Sequence, residues 1–336
     1  MSVDKIKEMY DLIDQSTQAL SKDLDFSYLE ALHESLQNLA LGQTQQIDGQ
    51  PGDDLARQLD QVYQQSDWQN MDKEEMRKAI QIALIEGSKK DQLPANYQTT
   101  PEAIAILLAY MAVKLLANHD KDQALLVFDP VAGQANLYAV VVDHLRKNGF
   151  KPQGYLNDND DLMLSLAEKS LYLQGEEAKI YLGDALQNLM VPPVDLVVAD
   201  LPVGYYPVDQ VATSYQSAFA SGHAYAHYLL VEQAMNYMKA NAWGLFIVPA
   251  QLFEEEASSH LVKAINSQGY FQAFLKLPTN LFKDRRAQKA ILVVQKAGDQ
   301  AKQASNVLIG DLPSLKDEKR MLDFVNSFSK WAQDLL

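Results

Sequence analysis

Residues 125–145 read LLVFDPVAGQANLYAVVVDHL, in which an apolar strand passes into an amphipathic helix through a turn carrying Asp129, Pro130, Gly133 and Asn136. That unit limits the fold more than any other feature of the chain. Parallel strands cannot be joined by a tight hairpin and need a crossover, usually helical and right-handed, so a strand that feeds a helix calls for further strands beside it. Such runs follow the first, at 124–128, and stand at 154–157, 179–182, 196–199 and 245–248, with helical patterns such as 137–147 between them. Short, continuously apolar strands are buried on both faces by helices. The expected fold class is doubly wound α/β. Two more runs, YFQAFLKLP and AILVVQKA, are separated only by the loop TNLFKDRRAQK and predict an antiparallel hairpin at the end of the sheet.

At 336 residues the chain exceeds the roughly 250–300 residues at which single cores stop growing, so two domains are expected. The division falls near Tyr97. Before it, YLEALHESLQNLALGQ and MDKEEMRKAIQIALIEG read as helices broken by DGQPGDD, which gives a helical domain over 1–95 and an α/β domain over 96–336. The second begins with YQTTPEAIAILLAYMAVKLL, where Thr100 suits a helix cap and Pro101 the first helical position. FVNSFSKWAQDLL reads as a closing helix.

Composition excludes several classes of chemistry. With no cysteine, the chain has no disulfide, thiolate zinc site or cysteine nucleophile, and it fits a reducing compartment. The start, MSVDKIKEMYDLIDQ, carries acids where a signal peptide carries a basic and then an apolar run, and no apolar run reaches the roughly 18 residues of a membrane span. The expectation is a soluble, cytoplasmic protein with no membrane partner. A net charge of -15 repels polyanions, so a nucleic acid would have to be held by a local basic patch. One such patch is Lys283, Arg285, Arg286 and Lys289 in the last loop.

In a doubly wound sheet, ligands sit beyond the carboxyl ends of the strands. Gly133 permits close approach there, yet GQANLY lacks the G-x-G-x-x-G of a dinucleotide site. Strand ends at the right intervals supply three further acids. Asp158 follows the second strand, placed to accept from a ribose diol; Asp184 follows the third, placed to accept from an adenine amino group; Asp200 follows the fourth, before LPVGYYP.

FDPVAGQANL, GDAL and DLPVGYYP, with TTPEAI ahead and FIVPAQLF and LKLPTNLF behind, resemble the class I S-adenosylmethionine-dependent methyltransferases. Within that class they are most similar to the adenine-N6-specific DNA methylase-like branch, with its Asp-Pro-x-x-Gly-x-Gly-Asn and Asp-Pro-Pro-Tyr motifs. The resemblance implies a mostly parallel, seven-stranded Rossmann-like sheet whose last hairpin is antiparallel. It implies S-adenosylmethionine as cofactor, near Thr100, Pro101, Asp129, Pro130, Gly133 and Asn136, with Asp158 on the ribose and Asp184 and Ala185 at the adenine. It places Asp200, Leu201 and Pro202 at a substrate amine, with Tyr205 or Tyr206 in the part of the stacking aromatic. No metal is implied, and nucleic acid is the implied partner.

Two positions depart from the family pattern. Ala135 stands where the second glycine is usual, and Val203 where the aromatic is usual. The chemistry explains why an acid is wanted at Asp200. An exocyclic amine has its lone pair spread into the ring, and accepting its two N–H bonds, at the Asp200 carboxylate and the Leu201 carbonyl, localises that pair for attack on a sulfonium methyl. Three readings stand open at this point: methylation of adenine N6 in DNA or RNA, the same transfer to a protein amide or a small molecule, and a non-catalytic nucleotide-binding protein of methyltransferase descent. His223 and His227 have the i, i+4 spacing of a metal pair but lack a third ligand, so capping and packing are expected of them.

Overall fold

The computed structural model describes residues 2–97, 99–219, 224–254 and 257–335. Helices α1 (Val3–Leu24), α2 (Tyr28–Leu41), α3 (Asp53–Gln65), α4 (Lys73–Lys90) and α5 (Glu102–Leu115) precede the first strand. Then come β1 (Ala124–Asp129), α6 (Asn136–Lys147), β2 (Lys151–Asp158), α7 (Asp161–Leu173), β3 (Ala178–Leu182), β4 (Val194–Asp200), α8 (Asp209–Ala212), α9 (Ala226–Tyr237) and β5 (Met238–Pro249). The chain closes with α10 (Ser258–Gln268), β6 (Gly269–Lys276), β7 (Lys289–Lys296), β8 (Leu308–Asp311) and α11 (Glu318–Leu335). No helix of the described residues is long and apolar enough to cross a membrane.

The sheet runs in the order β3-β2-β1-β4-β5-β7-β6-β8. β1 is parallel to β2 and β4, and β4 to β5, whereas β7 is antiparallel to both β5 and β6. Both of these were expected: a doubly wound, mostly parallel sheet and an antiparallel last hairpin. An eighth strand was not. β8 lies parallel to β6 on the outer edge and is mostly exposed; its apolar stretch, Val307, Leu308 and Ile309, is too short to mark a strand by its pattern.

The fold divides into two compact units. The first takes in residues 1–99 together with 133–139 and 160–182. Its core is made by α1, α2, α4 and α7, with Leu32, Leu36, Ile80, Met163 and Leu166 all buried in one cluster. Local signals start these helices: Ser27 and Glu30 form a reciprocal capping box at α2, and Asp72 accepts from the Glu74 and Glu75 amides at α4.

The second unit comprises residues 100–132, 140–159 and 183–336. Its strands are almost wholly buried from Leu125 to Phe128 and from Leu245 to Val248, apart from a half-exposed Leu126. α5 and α11 pack together, where the Tyr110 hydroxyl donates to the Val325 carbonyl at 2.8 Å. Thr100 does not cap α5. The N-cap position falls on Pro101, one residue earlier than the first helical position expected for it, and Pro101 has no side-chain acceptor; Thr100 lies before the cap and its hydroxyl donates to the Asp200 carboxylate.

Candidate active site at the strand ends

β1 delivers Asp129 into the interior. Its carboxylate is almost fully buried and accepts from the Val131 amide at 3.1 Å. Burial first, and then the nearby Asp158 and Asp200 carboxylates, hold its carboxyl well above the ordinary carboxylate range, against the single amide that favours the charged form. The carboxyl at the end of β1 therefore feels the acids at the ends of β2 and β4.

Asn157, in β2, is fully buried and laces these strand ends together. Its amide donates to the Pro130 and Gly183 carbonyls, each at 3.0 Å, and its own carbonyl accepts from the Ala132 amide at 2.8 Å. The Gly183 amide in turn donates to the Asp158 carbonyl at 2.9 Å. The side-chain oxygen of Asn157 is buried and has no hydrogen-bond partner among the described residues.

Asp184 is held from two sides. One oxygen accepts from the Leu186 amide at 2.9 Å, which closes a local Asx-type turn, and the other accepts from the Tyr206 hydroxyl at 2.5 Å. Burial and that hydrogen bond push the Tyr206 hydroxyl far up, so it remains a donor. Tyr206 is thus buried against Asp184, while Tyr205 is 59% exposed and stacks on Tyr225 with ring centroids 4.7 Å apart. Ala185 is buried, and its carbonyl accepts from Gln233 at 3.1 Å.

The DLPVGYYP turn owes its shape to Gly204. Its φ of +140° lies where only glycine rests without strain, and it lets the chain pair with residues 224–226. The Ala226 amide donates to the Gly204 carbonyl at 2.9 Å, and the Tyr206 amide to the Ala224 carbonyl at 2.8 Å. His227 donates to the Pro202 carbonyl, and burial lowers its pKa to about 4. It is a neutral brace; His223, its partner in the expected i, i+4 pair, lies outside the described residues.

Asp200 has two partners. The Thr100 hydroxyl donates to one oxygen at 2.9 Å, and the Lys289 ammonium to the other at 2.5 Å. The sequence singles out both residues, Thr100 near the cofactor and Lys289 in the basic loop, but pairs neither with Asp200. Attention to strand carboxyl ends misses the place of Lys289 beside Asp200 because β7 runs antiparallel, so its first residue, opposite Pro249, arrives where the parallel strands finish. Asp200 itself lies opposite Ile247, two residues before Pro249.

The β1–α6 turn carries two left-handed residues, Gly133 at φ +50° and Ala135 at φ +58°. Among the described residues nothing stands within 4 Å of where a Cβ on Gly133 would be, whereas Ala135 adopts a conformation that glycine usually takes. Asn136 opens α6 and is largely buried.

The model of the N-6 DNA methylase family matches residues 95–327. The chain belongs to that family. A second match, to the YtxK N-terminal helical domain, covers residues 7–88. Among relatives of this methylase-family chain is the uncharacterized protein YtxK of Bacillus subtilis (strain 168), 33% identical over 331 residues, or 98% of each chain. A Listeria monocytogenes structure described as a candidate class I S-adenosylmethionine-dependent methyltransferase superposes with a TM-score of 0.90 at 32% identity, covering 98% of this chain and 100% of that one. A type I restriction-modification methyltransferase subunit from Streptococcus thermophilus shares the fold, with a TM-score of 0.64 at 12% identity over 95% of this chain and 74% of that one. The family is one of S-adenosylmethionine-dependent methyltransferases.

Proposed function

We propose that the chain transfers a methyl group from S-adenosylmethionine to adenine N6 in DNA or RNA. The observation that carries this reading is Asp200 at the end of β4, beside the mutually repelling Asp129 and Asp158. The cofactor fits this donor set: its sulfonium and ammonium are cationic, and a group of acids with an unpartnered Asn157 oxygen nearby favours a cation. When bound, it supplies an electrophilic methyl group.

The chain's own residues divide between holding and reacting. Asp129, Pro130, Thr100 and Pro101 border the amino-acid end of the cofactor, Asp158 takes the ribose, and Asp184 and Ala185 take the adenine. Gly133 and Asn136 join them on the sequence motif alone. Asp200 and the Leu201 carbonyl accept the substrate amine, with Pro202 stiffening the turn. Tyr205, the exposed member of the pair, offers the ring on which a base drawn out of its stack would rest, and Tyr206 acts through Asp184. Residues 1–95 form an accessory helical domain and 96–336 the catalytic one.

The test is methyl transfer from tritiated cofactor to unmethylated DNA, RNA and a cell extract, beside calorimetry of cofactor binding. Asp200→Ala should leave cofactor affinity within a few-fold and lower the transfer rate by about 10²–10³, the usual cost of one group that stabilises developing charge. Unchanged transfer by Asp200→Ala would sink the assignment. The occupation of Asp200 by Lys289 favours a second, non-catalytic reading, which moves ahead if the parent protein binds cofactor and labels none of the three pools.

A further inference from the structure

Both oxygens of Asp200 already accept a hydrogen bond, from Thr100 and from Lys289. An arriving amine therefore meets a carboxylate whose charge is neutralised and whose Oδ1 is covered. The ion pair is half-shielded, with the Lys289 side chain 26% and the Asp200 side chain 19% exposed, so breaking it without compensation is unfavourable. A neutral amine has nothing to offer the ammonium in exchange.

Lys289 is also the first residue of β7, directly after the loop that carries Lys283 and Arg285, both exposed. The loop is anchored to the site edge, since the Leu277 amide donates to the Lys289 carbonyl at 2.9 Å and the Ala250 amide to the Gln288 carbonyl at 2.8 Å. A phosphate running along this loop would meet Lys289 as its nearest cation over the acids. A lysine ammonium on a flexible four-carbon stem can leave one anion for another.

Resting on the reading that adenine N6 is the acceptor, we propose that Lys289 is a specificity-determining cover over Asp200, which a phosphate group of the substrate draws away so that the carboxylate can accept the amine. No group is transferred in this step; one ion pair replaces another. A phosphate-bearing adenine is then favoured over a bare nucleoside by an enzyme whose net charge would otherwise repel it.

The experiment measures kcat/KM for tritiated methyl transfer to adenosine, to 5′-adenylate and to an unmethylated oligodeoxynucleotide, with the wild-type protein, Lys289→Met and Lys289→Arg. Wild type should prefer a phosphate-bearing acceptor over adenosine by about tenfold or more. Lys289→Met should erase that preference, chiefly by raising the rate on adenosine, and Lys289→Arg should keep most of it. Labelling of adenylate assigns the phosphate to a monomer, and labelling of the oligonucleotide alone assigns it to the polymer. An unchanged ratio, or an equal loss on every acceptor, overturns the proposal. If wild type labels none of the three, the functional reading has failed by itself, and calorimetry with adenylate and adenosine decides on the cover. Tighter adenylate binding by wild type that Lys289→Met abolishes supports it, and equal binding by the two proteins, or none by wild type, overturns it.

Discussion

The Tyr206 hydroxyl donates to the Asp184 carboxylate at 2.5 Å, joining two strand-end loops that lie 22 positions apart in sequence. A hydrogen bond to a charged group contributes about 1.5–3 kcal/mol, and a carboxylate left with one fewer donor carries part of its desolvation cost. Tyr206→Phe should therefore lower the unfolding free energy by about 1–3 kcal/mol. Tyr205→Phe, at an exposed ring, should change it by less than about 0.5 kcal/mol. Urea denaturation of the two variants checks the contrast, and equal effects would show that the Tyr206 contact carries no stability.

Asp129 links cofactor binding to protons. Its carboxyl sits well above the ordinary range through burial and its acidic neighbours, and a bound cation would pull it down. Binding of S-adenosylmethionine should then release a proton, and affinity should rise as the pH rises toward neutrality from the acid side. Calorimetry in buffers of different ionisation enthalpy reads the proton count. S-adenosylhomocysteine, without the sulfonium charge, should release less, and Asp129→Asn should release none from this group.

His227 makes stability fall in mild acid. Its folded-state pKa of about 4 lies below the ordinary value of 6.5, because burial disfavours the imidazolium. Above the ordinary value both folded and unfolded states are neutral and nothing is lost. Between the two values the unfolded state binds the extra proton, so stability drops as the pH falls from about 6.5 toward about 4, by about 1.4 kcal/mol for each pH unit crossed. The slope of stability against pH in that window should be shallower in His227→Gln by about that amount, and an identical slope would place the titration elsewhere.

Ala135 is held at φ +58°, at a cost of about 1–2 kcal/mol for a residue with a Cβ. Glycine would relieve that strain but lose a buried methyl worth about 0.8 kcal/mol and add about 0.5–1 kcal/mol of unfolded-state entropy. These terms nearly cancel. Ala135→Gly should leave stability within about 1 kcal/mol, whereas the β-branched Ala135→Val should lose about 2 kcal/mol or more. A stable valine variant would show that the turn can leave the left-handed region.

Much of this molecule was determined by the sequence alone, because the signals involved are local. The period of apolar residues marks β1 through β7 and α6, and the hairpin follows from two apolar runs with no helix between them. The acids Asp129, Asp158, Asp184 and Asp200 were found because strand ends can be counted along a chain. Tertiary structure alone decided what those acids touch. Thr100 and Lys289 lie 100 and 89 positions from Asp200, and Tyr206 reaches Asp184 only because Gly204 turns the loop against residues 224–226. α7 gives its apolar face to the amino-terminal helices, although its sequence lies between two strands of the sheet. β8 went unread because its apolar stretch, Val307, Leu308 and Ile309, is too short to mark a strand; it is held by backbone hydrogen bonds to β6, and these are blind to side-chain type.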